Sequence, residues 1–243
     1  MDAVIVQGLS YRYWTDGPVV LNNVNFRVAR GEMLAVTGLS GCGKSTLCLC
    51  LNGIIPHSRD GAMDGSVLVG GKNTRGHKVC NLAFEVGLVF QDPDTQLFAP
   101  TVEDELAFAP ENMCLPPGRI RERVDQVINL LGIEDLREAN PNQLSGGEKH
   151  LVALGAVLAL DPPVLVLDEA LSGLDTAARQ RVAMVLEELR RRGKTIIAVE
   201  HDLESVAFAD RMLVLDDGAV SRLDRTETIL ADREFLLAGR LLF

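Results

Sequence analysis

The sequence predicts an α/β fold, a parallel sheet covered on both faces, with an antiparallel β portion ahead of it and a helical portion inserted into it. Three observations carry this. The short apolar runs MLAVT, PVLVLDE and TIIAVEH have the length and composition of strands buried on both sides. They are separated by helical patterns such as AARQRVAMVLEELRRRG, the alternation that winds a parallel sheet. Between about residues 95 and 145 the pattern changes to charge-rich helices with proline-bearing loops.

The first forty residues alternate in strand fashion, VIVQGLSYRYW, VVLNNVNFRV and MLAVTG, with turn signals at TDGP and ARGE. After Gly43 the period becomes helical through KSTLCLCLNGI, ending near Gly53 and Pro56. GSVLVGGK and EVGLVFQD read as further strands, TVEDELAF and GRIRERVDQVINLLG as helices, and RMLVLDDG as a last core strand. The expected organisation is a catalytic core with its β portion over 1–94 and 146–225, a helical subdomain over 95–145 and a closing amphipathic helix over 226–243.

Composition narrows the function classes. With 243 residues and 47% hydrophobic content the chain is long enough for a sizeable core. Its longest apolar stretch, Leu151 to Leu160, is about half of the roughly 20 residues that cross a bilayer. The N-terminus lacks the basic and apolar regions of a secretory signal, so a cytoplasmic location is expected. A formal charge of −10 and a pI near 4.9 disfavour nonspecific binding to nucleic acid or an anionic membrane, and suit a basic partner surface. Cys42, Cys48, Cys50, Cys80 and Cys114 show no metal-ligand spacing and read as reduced thiols.

Three motifs carry chemistry. Gly38-Leu39-Ser40-Gly41-Cys42-Gly43-Lys44-Ser45, followed by Thr46, fits GxxxxGK[ST] and comes straight after an apolar strand. Such a loop wraps a triphosphate in backbone N–H groups at a helix N-terminus, with Lys44 reaching the β and γ phosphates and the Ser45 hydroxyl ligating Mg²⁺. Val164-Leu165-Val166-Leu167 runs into Asp168-Glu169, two carboxylates at the carboxyl end of a buried strand, where Asp168 suits Mg²⁺ and Glu169 the attacking water. Leu144-Ser145-Gly146-Gly147-Glu148 precedes a helix expected from about Lys149 to Leu160 and offers a second anion cradle. With Lys44 and its loop on one side of a γ-phosphate, that second cradle would close the other side from a different molecule.

At this point the chain resembles the nucleotide-binding subunit of ATP-binding cassette (ABC) transporters, in which LSGGQ of one subunit closes over ATP held by the other's P-loop. The resemblance implies a P-loop NTPase core, ATP and Mg²⁺ as ligands, and ATP hydrolysis coupled to transport. It implies a second ATPase subunit, identical or paralogous, and membrane subunits that place the protein peripherally on the cytoplasmic face. Gln91 matches the glutamine that senses Mg²⁺ and the attacking water, His201 the histidine that contacts the γ-phosphate, and Ser172-Gly173-Leu174-Asp175 the segment linking the two composite sites. Tyr13 matches the aromatic that stacks on adenine, with Tyr11 as the alternative. Gln91-Asp92-Pro93-Asp94-Thr95-Gln96-Leu97-Phe98, running into TVEDELAFAPEN, is similar to the ATPases of energy-coupling-factor importers, which take up vitamins or cobalt and nickel ions through a shared transmembrane coupling protein and a separate substrate-binding one. There Asp92, Asp94, Glu103, Asp104 and Glu105 would make the groove for basic coupling helices acidic.

The sequence departs from the family pattern at Glu148, in place of Gln, at Leu151, where Arg is frequent, and at Ala170 and Leu171, where Pro and Thr are more usual. The end at Phe243 fits a compact member, a shortened chain or half of a fused pair. An exporter would share every motif but the Gln91–Phe98 segment. A soluble cassette ATPase acting on nucleic acid or ribosomes would be expected to carry two cassettes, long insertions and basic surfaces.

Overall fold

In the computed structural model, which describes residues 1–171, 174 and 176–241, ten strands form two sheets. In chain order the elements are β1 (Asp2–Arg12), β2 (Leu21–Ala29), β3 (Met33–Thr37), α1 (Lys44–Leu51), α2 (Ile54–His57), β4 (Ala62–Val69), β5 (Lys72–Asn73), α3 (Val79–Leu82) and β6 (Val86–Val89). Then come α4 (Val102–Asn112), α5 (Pro117–Leu131), α6 (Gly146–Leu158), β7 (Val164–Asp168), α7 (Thr176–Arg191), β8 (Thr195–Val199), β9 (Arg211–Asp216), β10 (Ala219–Arg225), α8 (Thr226–Ala231) and α9 (Arg233–Ala238).

The larger sheet has the order β10-β9-β3-β8-β7-β6, parallel except for β10 at one edge. Every residue of β3, β7 and β8 is buried, which is why these strands read as unbroken apolar runs. Alternate residues supply the two faces. Met33, Ala35, Leu165, Leu167, Ile196 and Ala198 pack under α4 to α7. Leu34, Val36, Val164, Val166, Ile197 and Val199 pack against α1 and the smaller sheet. That smaller sheet is antiparallel, in the order β2-β1-β4-β5, and in β2 only Leu21, Val24, Phe26 and Val28 turn inward.

The helical insert is tied to the core by polar as well as apolar contacts. α4 starts at Thr101, whose hydroxyl accepts the Asp104 N–H, and carries Glu103, Asp104 and Glu105 in its first turn, where the helix dipole favours negative charge. α5 buries Val124, Val127, Ile128 and Leu131 on one stripe and stops at Gly132 in the left-handed region. Gln96 accepts from Phe90 N–H and donates to the Ala153 carbonyl at 2.9 Å, joining the end of β6 to α6.

Two boundaries differ from the sequence expectation. α6 begins at Gly146, three residues before Lys149, because Ser145 caps it so efficiently that both glycines are wound into its first turn. The tail is two short helices, α8 and α9. Asp232, at φ −89° and ψ 78°, breaks the run, and its carboxylate accepts the Phe235 N–H to start the second helix. Leu242 and Phe243 lie outside the described residues.

Glu105 is 3% exposed and accepts the N–H groups of Phe98 and Ala99 at 2.8 and 2.7 Å. Glu105→Ala would leave both donors, the Ala99 N–H buried and the Phe98 N–H partly so, without their acceptor, and urea unfolding should show a loss of about 2–4 kcal/mol; a loss below about 1 kcal/mol would mean that the loop finds other acceptors.

Candidate active site

The parallel strands end level with one another. Val36 of β3 is paired with Val199 of β8, and Val199 with Asp168 of β7. The residues that follow these three ends are the P-loop, Glu169 and His201, so one edge of the sheet collects the chemistry.

At the end of β3 the loop turns back tightly. Gly38 has φ +152°, and a Cβ there would sit 2.2 Å from the Leu215 carbonyl oxygen; Gly43, at φ +104°, would bring one 2.7 Å from the Val20 oxygen. No other residue fits either place. Gly43 is also the N-cap of α1, whose first buried residue is Lys44. Lys44 Nζ donates to the carbonyls of Gly38 and Leu39 at 2.9 and 3.1 Å and lies 3.9 Å from Glu169 Oε1. The loop borders a cleft of 520 Å³ lined by Ser40, Gly41, Gly43, Lys44, Ser45 and Thr46, together with Tyr13, Gln91 and Glu169. Cys42 is buried at the back of the loop with its thiol beside Gly38. Burial pushes that thiol up, away from the reactive thiolate.

The acidic pair divides its work by backbone geometry. Asp168, the last residue of β7, is buried, and its Oδ1 accepts from Ser45 Oγ at 3.1 Å. Burial raises its carboxyl from the ordinary value, and the Ser45 hydroxyl opposes that shift. Glu169 has φ +51°, a left-handed conformation that costs a non-glycine residue on the order of 1 kcal/mol. That turn swings its side chain off the strand and into the cleft, while its N–H donates to the Val199 carbonyl at 2.9 Å. Gln91 Nε2 donates to Glu169 Oε2 at 3.0 Å, and His201 Nδ1 is 3.7 Å from the same oxygen. Lys44, Gln91 and His201 therefore converge on one carboxylate. Ser45 Oγ, the Asp168 carboxylate and the Gln91 amide are oxygen donors of the kind that suits a hard divalent cation.

The tyrosine pair resolves by burial. Tyr11 is fully buried and donates its hydroxyl to the Asp60 carbonyl, so its ring has no face for a ligand. Tyr13 stands edge-on to it at 5.0 Å, lines the cleft and shares a 2.9 Å hydrogen bond with Thr46 Oγ1.

Ser145, Gly146, Gly147 and Glu148 do not line this cleft. They form a closed capping box. Glu148 Oε2 accepts from Ser145 N–H at 2.8 Å and from Ser145 Oγ at 2.7 Å, and Ser145 Oγ accepts the Glu148 N–H at 3.4 Å. The Glu148 side chain is thus folded back on its own helix. Of the segment 172–175, only Leu174 is described; Asp175 lies outside the described residues with Ser172 and Gly173.

The five acids divide between two surfaces: Glu103 and Asp104, with Glu111 and Arg121, line a cavity of 480 Å³ between α4 and α5. A cavity of 260 Å³ opens between the core and the helical insert, bordered by Ile54, Val79, Phe98, Phe108, Val157 and Leu160 among others, and Glu105 is the one carboxylate of the five that reaches it. The other acids are engaged elsewhere. Asp94 pairs with Lys149 at 2.6 Å, Glu103 pairs with Arg137 at 2.8 Å, Asp92 accepts the Asp94 N–H and Asp104 accepts from the Thr101 hydroxyl. The groove is apolar, and Phe98 and Phe108 stack edge-on at 4.5 Å with both rings exposed on its rim.

A doubly covered parallel sheet with this loop at its carboxyl edge defines a P-loop nucleotide-binding protein. The profile of the ABC transporter family matches residues 21–172. A putative ABC transporter ATP-binding protein of Pyrococcus abyssi is 43% identical over 238 residues, 97% of this chain and 85% of the relative. The energy-coupling factor transporter ATP-binding protein EcfA of Methanosarcina acetivorans is 40% identical over 235 residues, 96% of this chain and 84% of the relative. The solved structure of cbiO1 from Clostridium perfringens, part of the ABC transporter complex cbiONQ, superimposes with a TM-score of 0.84 at 34% identity, covering 99% of this chain and 95% of that one. The chain belongs to the ABC transporter ATP-binding family, whose members bind and hydrolyse ATP to drive transport.

Ser145→Ala should cost about 1 kcal/mol in urea unfolding by opening the cap of α6. Hydrogen bonds from Ser145 hold the Glu148 carboxyl below its ordinary value, so the cap's contribution is present above about pH 4.5 and is lost as pH falls through the lower folded value. The variant keeps the backbone N–H at 145 and should lose only the hydroxyl's share of that acid dependence; an unchanged acid limb would place the stability of the cap elsewhere.

Proposed function

We propose that this protein is the ATP-hydrolysing subunit of an energy-coupling-factor importer for a vitamin or for cobalt or nickel ions, working as a dimer on the cytoplasmic face of the membrane. The convergence of Lys44, Gln91 and His201 on Glu169, beside a P-loop already wound, is the observation that carries hydrolysis. The similarity to EcfA and cbiO1 over nearly the whole chain supports the importer class. No helix among the described residues is long and apolar enough to cross a membrane, in keeping with a subunit that docks on membrane partners.

The N–H groups from Gly38 to Thr46 receive the phosphates, and Lys44 exchanges its two loop carbonyls for the β and γ oxygens. Tyr13 stacks on the adenine. Ser45 and Asp168, with Gln91, would hold Mg²⁺, which would supply charge neutralisation at the phosphate oxygens. Glu169 orients the attacking water and draws off its proton, and His201 donates to the γ-phosphate. Ser145, Gly146 and Gly147 of a second ATPase subunit, identical or paralogous, close the site. Closure draws the helical inserts together because ATP binds the closed state more tightly. A transmembrane coupling subunit, seated by apolar side chains in the groove beside Phe98 and Phe108, passes that movement to the substrate-binding membrane subunit.

The solution mass of purified Glu169→Gln protein, with and without Mg²⁺ and ATP, tests the scheme. An ATP-dependent shift from monomer to dimer is expected, together with a turnover at least about 100-fold below wild type. ATP-bound monomer at every concentration would rule out closure between identical chains, and normal turnover would remove Glu169 from the reaction. Lys44→Ala should abolish nucleotide binding or turnover.

A further inference from the structure

Glu200 stands at the centre of the sheet edge and has no part in the scheme above. Its side chain is 1% exposed. Its own N–H donates to the Val36 carbonyl, just before the P-loop, at 3.1 Å. The preceding carbonyl, Val199, takes the N–H of Glu169, and the next side chain, His201, faces the Glu169 carboxylate. Glu200 Oε1 accepts the Leu171 N–H at 2.8 Å, two residues beyond Glu169. Oε2 is buried and has no hydrogen-bond partner among the described residues.

A buried carboxylate satisfied on one oxygen only is an expensive feature for a fold to carry without use. Its neighbours explain its poise. Glu169 and Asp202 face it with like charge, while Arg179 of α7 and the Leu171 N–H favour the ionised form. Arg179 also reaches Asp202, at 3.4 Å. Burial, the largest influence, raises the Glu200 carboxyl to about 7.

We propose that Glu200 is a positioning residue for the ATPase reaction: its ionised form grips the Leu171 N–H and fixes the left-handed turn that aims Glu169 into the cleft. Protonation weakens that acceptor and relaxes the turn. The bond formed and lost is the Leu171 N–H to Glu200 Oε1 hydrogen bond, and the proton exchanges with solvent. The inference rests on Glu169 being the residue that activates water.

Glu200→Gln keeps an acceptor for Leu171 but cannot ionise; Glu200→Ala removes the acceptor. A raised folded value means the folded chain holds its proton between about pH 4.5 and 7, so the stabilisation is complete below that window and lost as pH rises through it. At about pH 8 Glu200→Gln should therefore be no less stable than wild type, and its rate reports geometry, not unfolding.

The experiment is steady-state ATP turnover from about pH 6 to about pH 8 for both variants and wild type, with nucleotide affinity measured separately. The ratio of wild-type to Glu200→Gln kcat divides out the pH effects that both chains share. It should rise from about 1 at the acid end to about 5 at the alkaline end, with its midpoint near 7. Glu200→Ala should lower kcat about tenfold or more while leaving ATP affinity within about twofold. Infrared difference spectra should show a protonated-carboxyl band at about pH 6 that disappears by about pH 8 and is missing from Glu200→Gln. A ratio flat across the range, or no such band, overturns the proposal. If Glu169→Gln is inactive and the ratio is flat, Glu200 alone is excluded; if Glu169→Gln turns over normally, the assignment of Glu169 falls and this inference with it.

Discussion

The pairing of β3, β8 and β7 is the constraint on which the rest depends. Backbone hydrogen bonds hold Val36, Val199 and Asp168 level, and they continue one residue further, from Glu200 to Val36 and from Glu169 to Val199. Parallel strands with both faces covered have little freedom to slip, since a one-residue shift would turn every core side chain to the other face. Segments far apart in sequence, near residues 40, 169 and 201, are thereby delivered to one edge. Glu169 is the only one of the collected side chains whose backbone φ lies in the left-handed region, and the ladder on either side holds it there.

The electrostatics of the edge follow from this crowding. Asp168, Glu169, Glu200 and Asp202 lie within seven sequence positions of two adjoining strand ends, and the buried cation among them is Lys44. Repulsion is relieved in a different way at each place. Asp168 takes the Ser45 hydroxyl, Glu169 takes Gln91 and the fringe of Lys44, Asp202 takes Ser205 and Arg179, and Glu200 takes a single backbone N–H. Surface charge is a separate matter. Asp92, Asp94, Glu103 and Asp104 are spent on pairs and caps around the helical insert, and Glu105 is the one charged residue lining the apolar cavity beside it.

Legibility in the sequence tracked how local the cause was. The glycine spacing of residues 38–45 and the apolar run ending at Asp168-Glu169 are signals contained in a few residues, and each lies where a local rule puts it, whereas Ser145, read as part of an anion cradle, caps a helix that begins three residues before the expected start. Tertiary contacts decided the rest. YRY puts Tyr13 only narrowly ahead of Tyr11, and it is burial and the bond to the Asp60 carbonyl that take Tyr11 out of play. The carboxylates from Asp92 to Glu105 read as one acidic face because their partners, Lys149 and Arg137, lie tens of residues away. Glu200 offered only an acidic residue between an apolar strand and a histidine. Its burial and its bond to Leu171 need the sheet order, which no window of sequence contains.

Lys44 lends the loop a rigidity that the glycines by themselves would withhold. Its ammonium ties the Gly38 and Leu39 carbonyls together, at 2.9 and 3.1 Å. The loop's shape is thus held by the chain's own side chain. Capture then demands little folding of the chain, and the favourable free energy of the phosphate contacts is left over for drawing two large bodies together. A nest that had to assemble around its guest would spend that free energy on itself.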